Sequence, residues 1–166
     1  MSSITVVDFG MGNLHSVAKA LEHVAPRSRV QVTSDASVIA ASDRVVLPGQ
    51  GAIGGYLKAL RDTHLEPAVL DAARNKPFLG ICLGLQVLFE SSDEHAEGEE
   101  NIKTLGLFKG QVRHFTHVSV DPDAMVDPAT GHRYTIPHMG WNTVRQTRPH
   151  PLWAGINNNA RFYFVH

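Results

Sequence analysis

The sequence predicts an α/β fold, a mostly parallel central sheet between layers of helices, followed by an antiparallel, strand-rich second half. Three observations predict it. Short β-branched runs alternate with helix-forming stretches as far as residue 90. Two of those runs end in glycine-rich loops. A third passes through Gly80-Ile-Cys-Leu-Gly84 directly into Leu85, Val87, Leu88 and Phe89. Strand and helix in regular alternation imply parallel strands joined by crossover helices.

Residues 4–9 form the first predicted strand and 16–24 the first helix, joined by the turn Gly10-Met-Gly-Asn-Leu-His15. The third glycine of a Gly-X-Gly-X-X-Gly dinucleotide loop would fall at His15, so the segment reads as a tight βα turn. Residues 29–33 are the second strand, Ser34 and Asp35 a turn or N-cap, and 36–41 a short helix. The third strand, 43–47, runs into Pro48-Gly-Gln-Gly-Ala-Ile-Gly-Gly55, and helices follow at 56–61 and 65–74. Phe78, Leu79 and Ile81 read as a strand buried on both faces, with a helix continuing beyond Cys82. Reactive groups collect at the carboxyl ends of parallel strands, so the 48–55 loop and Cys82 should share one rim.

Residues 91–101 carry Asp93, Glu94, Glu97, Glu99 and Glu100 and read as a solvated loop. Strand-rich sequence begins at 112–115. Residues 121–133, with Pro122, Pro128 and Gly131, read as an exposed loop or hairpin tip. The segment 136–144 gathers a proline, a glycine and Trp141, and 161–166 is an aromatic, β-branched strand.

The chain has 166 residues, which suits one domain, 1–166, with a sizeable core. Fifteen Lys and Arg against 16 Asp and Glu, a formal net charge of −1, give no bulk charge for nucleic acid or membrane binding. A single cysteine excludes an internal disulfide and fits a reducing compartment. No stretch has the pattern of a signal peptide or the length of a membrane span. The ten histidines show no metal-ligand spacing, and no metal site is expected.

A strand, a tight Gly-X-Cys-X-Gly turn and a helix make a nucleophile elbow, the geometry that carries serine in Gly-X-Ser-X-Gly hydrolases. The turn lifts Cys82 clear of the sheet at the mouth of a helix, where free N–H groups and the helix dipole favour an anion. The plainer reading is a buried core cysteine, since free cysteine is among the most buried residues. A core cysteine, however, needs no glycine on each side. Acyl transfer through a thiol also requires oxyanion donors, a base and a group that orients the base. The Leu83 N–H supplies one donor. Gly49, Gln50 and Gly51 can supply a second, because glycines let backbone approach a substrate closely. Gln86, one helical turn after Cys82, can reach a polar substrate or simply lie on the surface. No base is evident: His150-Pro151 is followed by Leu152, and neither His138 nor His166 has an orienting acid nearby in sequence.

Gly80-Ile-Cys-Leu-Gly-Leu-Gln86, Pro48-Gly-Gln-Gly51 and Val7-Asp-Phe-Gly-Met-Gly-Asn-Leu14 together resemble class I (triad) glutamine amidotransferases, which have a flavodoxin-like fold. Pro137-His-Met-Gly-Trp-Asn142 and Phe162-Tyr-Phe-Val-His166 narrow the resemblance to the glutaminase subunits of imidazole glycerol phosphate synthases. The resemblance covers nearly the whole chain. It implies a cytoplasmic enzyme of histidine biosynthesis, without a cofactor, that hydrolyses glutamine to glutamate and ammonia. The ammonia passes to a partner cyclase with a (β/α)8 barrel. Cys82 is then the nucleophile that forms a γ-glutamyl thioester. Leu83 and the Gly49–Gly51 strand match the oxyanion hole, and Gly51 and Gln86 match glutamine-contacting positions. His138, Met139, Trp141 and Asn142 match the turn that faces the cyclase, although Trp141 could equally pack a core. The family's triad His and Glu come as His-Pro-Glu after the Phe-Val-His strand. That motif is not in these 166 residues, so the chain is expected to be C-terminally truncated and inactive on its own. Two other classes fit the same residues: a scaffold module with a vestigial Cys82, and a different thiol enzyme of the same fold class.

Overall fold

The computed structural model describes residues 1–94, 101–117, 126, 131 and 133–165. The expectations for His95, Glu97, Glu99, Glu100, His132, His166 and most of the 121–133 loop lie outside the described residues. The chain forms two compact units, Met1–His114 and Phe115–His166.

The first unit is built on a four-stranded sheet of β1 (Ser3–Val7), β2 (Arg29–Thr33), β3 (Arg44–Leu47) and β4 (Phe78–Gly80), in the order β2-β1-β3-β4. Every pairing is parallel. This is the doubly wound order of flavodoxin-like folds, and it reverses direction between β1 and β3. The helices are α1 (Leu14–Val24), α2 (Ala36–Ala41), α3 (Ile53–Asp62), α4 (Glu66–Asn75) and the short α5 (Leu83–Gln86).

Side chains of a strand alternate between faces, so a strand covered on both sides is apolar throughout. Ile4, Val6 and Val46 pack one face against Leu14, Val17 and Leu21 of α1. Val7, Val45 and Leu47 pack the other against Ile39, Ile53, Tyr56, Leu57, Leu60 and Val69 from α2, α3 and α4. Local chemistry starts the first two helices. The Asn13 side chain accepts from the Ser16 N–H at 3.2 Å to open α1, and Asp35 accepts from the Ser37 N–H at 2.8 Å to open α2. At the far end of α2, the Lys76 ammonium donates to the carbonyls of Ile39, Ala40 and Ser42.

Two expectations for the Cys82 segment need correction. β4 is not buried on both faces: Leu79 is 41% and Ile81 37% exposed, because β4 is the last strand of this sheet. The helix after Cys82 also stops at Gln86. The carbonyls of Val87, Leu88, Phe89 and Glu90 are instead taken by the amides of Leu105, Phe108, Gly106 and Thr104. Those bonds draw the chain into a small sheet of β5 (Ser91–Ser92), β6 (Ile102–Lys103) and β7 (Gln111–Val112), antiparallel on one side of β5 and parallel on the other. Asp93 and Glu94 are not merely solvated. Asp93 accepts the His114 N–H at 2.6 Å, and Glu94 accepts the Ile53 N–H at 2.8 Å.

In the second unit β8 (Met139–Val144) and β9 (Ala160–Val165) form an antiparallel ribbon, with Met139 opposite Val165 and Trp141 opposite Tyr163. Residues 115–117 form a single 3-10 turn where strand was expected to continue.

Candidate active site

The site is assembled where β1, β3 and β4 end. Leu47 pairs with Gly80, and the Ile81 N–H donates to the Leu47 carbonyl at 3.0 Å, so β3 and β4 leave the sheet side by side. Cys82 follows with φ 54° and ψ −117°, a conformation that L-residues with side chains rarely adopt. The residue is exposed. Its thiol therefore stands clear of the core, as an elbow requires, and the buried-cysteine alternative fails.

The flanking glycines have a steric reason. A methyl group on Gly84 would overlap the Leu47 carbonyl oxygen, and one on Gly80 would lie 2.5 Å from the Gly84 carbonyl oxygen. The elbow is folded so tightly onto itself and onto β3 that neither position admits a side chain. The amides of Gly84, Leu85, Gln86 and Val87 are bonded to the carbonyls of Ile81, Cys82, Cys82 and Leu83. The Leu83 N–H is not among these donors. With only four residues in α5, the helix dipole expected from sequence is small, and anion stabilisation rests on individual N–H groups.

The 48–51 loop lies against this elbow. A methyl group on Gly49 would overlap the Tyr56 ring and come within 2.8 Å of both the Gly84 nitrogen and the Leu83 Cβ. Gly51 has φ +94°, with the Met11 methyl 3.4 Å from where its Cβ would be. Gly12 faces Pro48 and the Gly49 nitrogen across 3.6 and 3.8 Å by the same measure. The structure thus brings Gly49, Gly51, Cys82 and Leu83 to one rim. Gln86 is half-buried, and its backbone N–H donates to the Cys82 carbonyl, so it stands one helical turn from the thiol.

Sequence reasoning missed three participants at this rim. Tyr56 is fully buried, packs its ring edge-on to Phe9 at 4.7 Å, and donates its hydroxyl to the Pro48 carbonyl at 2.9 Å. Burial, and secondarily the neighbouring negative charge of Cys82, push its phenol above the ordinary tyrosine value. Glu94 holds the first N–H of α3, and Met11 touches Gly51. Nothing local in sequence marks Glu94. Tyr56 carries a weak signal, being the largest side chain at the start of a helix that follows a glycine-rich loop.

His138, Met139, Trp141 and Asn142 belong to the second unit. Met139, Trp141 and Asn142 lie on β8, a strand and not the expected turn. Trp141 is 62% exposed and meets Tyr163 edge-to-face at 5.6 Å, so it fills no core. His138 stacks on Phe164 at 5.7 Å. The His150 ring accepts from the Leu152 N–H at 3.2 Å and closes a 3-10 turn. Among the described residues no three His, Cys, Asp or Glu side chains cluster as a metal site would, and no helix is long and apolar enough to cross a membrane.

The model for class-I glutamine amidotransferases matches residues 5–166, and the chain belongs to that family. Within it, the particular resemblance is to one kind of subunit. The imidazole glycerol phosphate synthase subunit HisH of Aromatoleum aromaticum is 52% identical over 166 residues, 100% of this chain and 73% of that protein. The subunit HisH of Dechloromonas aromatica is 53% identical over 164 residues, 99% of this chain and 71% of the other. That of Nitrosospira multiformis is 49% identical over 166 residues, 100% and 73% of the two chains. Among solved structures, a putative peptidase E protein from Listeria monocytogenes EGD-e overlaps with a TM-score of 0.49 at 16% identity, over 64% of this chain and 63% of that one.

Proposed function

We propose that this chain is the glutaminase subunit of a cytoplasmic imidazole glycerol phosphate synthase, working with a cyclase subunit in histidine biosynthesis. The observation that carries the site assignment is an exposed Cys82 at positive φ with the Gly49 backbone packed against the next two residues. We read residues 1–166 as part of one amidotransferase domain, because the family match runs through both units.

In this reading the Cys82 sulfur attacks the side-chain amide carbon of glutamine. The carbonyl oxygen becomes an oxyanion held by the Leu83 N–H and an N–H of the Gly49–Gly51 strand. The C–N bond then breaks, ammonia leaves with a proton from the base, and a γ-glutamyl thioester remains. Water cleaves the thioester to glutamate and returns the thiol. Gly51 and Gln86 contact the glutamine, and His138, Met139, Trp141 and Asn142 face the cyclase. No cofactor is needed, since a thiol, a base and oriented amides suffice for amide hydrolysis.

The test is glutamate release from glutamine by the full chain with its cyclase, compared with Cys82→Ala. We expect release to be lost in the variant. Cys82 should also be labelled by a glutamine-like electrophile such as 6-diazo-5-oxo-norleucine, faster than by its isomer of opposite chirality. A folded protein that does not react there is a scaffold and not a glutaminase.

A further inference from the structure

We propose that Tyr56 is a positioning residue for glutamine hydrolysis: its hydroxyl tethers the Pro48 carbonyl and so sets the direction of the oxyanion strand that follows. The inference rests on the glutaminase reading of Cys82 and adds a residue to it.

The loop after β3 is strung between two fixed points. At its start the Tyr56 hydroxyl holds the Pro48 carbonyl at 2.9 Å. At its end the Glu94 carboxylate holds the Ile53 N–H at 2.8 Å. Only Gly49, Gln50, Gly51 and Ala52 lie between. Gly49 has no slack where a side chain would stand, because the Tyr56 ring, the Leu83 Cβ and the Gly84 nitrogen all crowd that point. Gln50 and Gly51 are exposed. A trans peptide points its C=O and N–H in opposite directions. Holding the Pro48 carbonyl down on Tyr56 therefore turns the Gly49 N–H away from the core, and any rotation of the next peptide pivots on that anchor. The tether is permanent over working pH, since a phenol is protonated there and burial pushes this one higher still. Removing the hydroxyl would leave a buried carbonyl unpaired, and the loop would shift to satisfy it.

The test compares Tyr56→Phe with Thr5→Val in the full chain with its cyclase. Thr5 is equally buried, and its hydroxyl is bonded to Ser42 at the end of α2 and to Gln31 of β2, so its loss serves as a purely structural control. Tyr56→Phe should lower kcat for glutamine about tenfold with KM changed less than about twofold, the pattern of a misplaced oxyanion donor. The amide NMR shifts of Gly49, Gln50 and Gly51 should move while those of the interior of α3 stay put. Thr5→Val should change neither. Unmoved loop shifts in Tyr56→Phe, or equal loss of kcat in both variants, overturn the tether. A wild type that releases no glutamate overturns the glutaminase reading instead.

Discussion

Cys82 is one of three non-glycine residues at positive φ among those described, with His64 and Asn159. Asparagine visits this region at small cost, whereas a residue such as cysteine is held there only when its surroundings force it. The force is visible: Gly84 is seated on the Leu47 carbonyl, and Gly80 on Gly84. The strain predicts an inverted order of stability. Cys82→Gly should melt above Cys82→Ala, by about 1 kcal/mol, because relief of strain outweighs the greater chain entropy of glycine. Thermal or urea melts of the two variants check this, and the reverse order would mean an unstrained elbow. At this scale the sequence was informative, since a glycine on each side of a lone cysteine announces a close approach. The role of Tyr56 was barely legible, because its partner, the Pro48 carbonyl, is a backbone atom eight residues away that no side-chain pattern records.

The elements divide the same way. Those defined by local chemistry were legible. α2 falls at its expected residues because Asp35 caps it and Ala36 to Ala41 form helix readily. α5 was misjudged because its end is decided from afar. Leu88 and Phe89 belong to a good helical pattern, but residues 104–108 capture the carbonyls a longer helix would need. The burial of β4 was misjudged for a related reason, since an apolar run does not say whether its strand ends a sheet. The Asp35 cap makes a pH-dependent prediction. The Ser37 hydroxyl, and then the Ser37 N–H, donate to its carboxylate and hold its pKa below the ordinary value. A group whose pKa is depressed by folding adds stability above its unfolded value and loses it as pH falls through the folded one. Asp35→Ala should therefore lower Tm at neutral pH, and its gap from wild type should narrow as pH drops below about 4. A gap that stays constant through acid pH would show the charge plays no part.

For the whole molecule, burial is very unequal between the two units. Every buried apolar side chain among the described residues, from Ile4 to Leu88, lies in Met1–His114. The ribbon of β8 and β9 in Phe115–His166 instead exposes Met139, Trp141, Tyr163 and Val165 on one face. An isolated two-stranded ribbon is marginal in water. Residues 1–114 made alone should keep helical circular dichroism and melt cooperatively, with Cys82 still open to iodoacetamide. Residues 115–166 alone should give the spectrum of an unfolded chain. A cooperative melt of the second piece would show that it carries a core of its own.

The seating of Gly84 on the end of β3 has one more consequence. The backbone that carries the sulfur is bolted to the sheet: it cannot travel without dragging Leu47 along, and Leu47 is completely enclosed. In the glutaminase reading proposed above, any control of the chemistry would then leave the elbow where it is and act on the N–H groups that would receive negative charge.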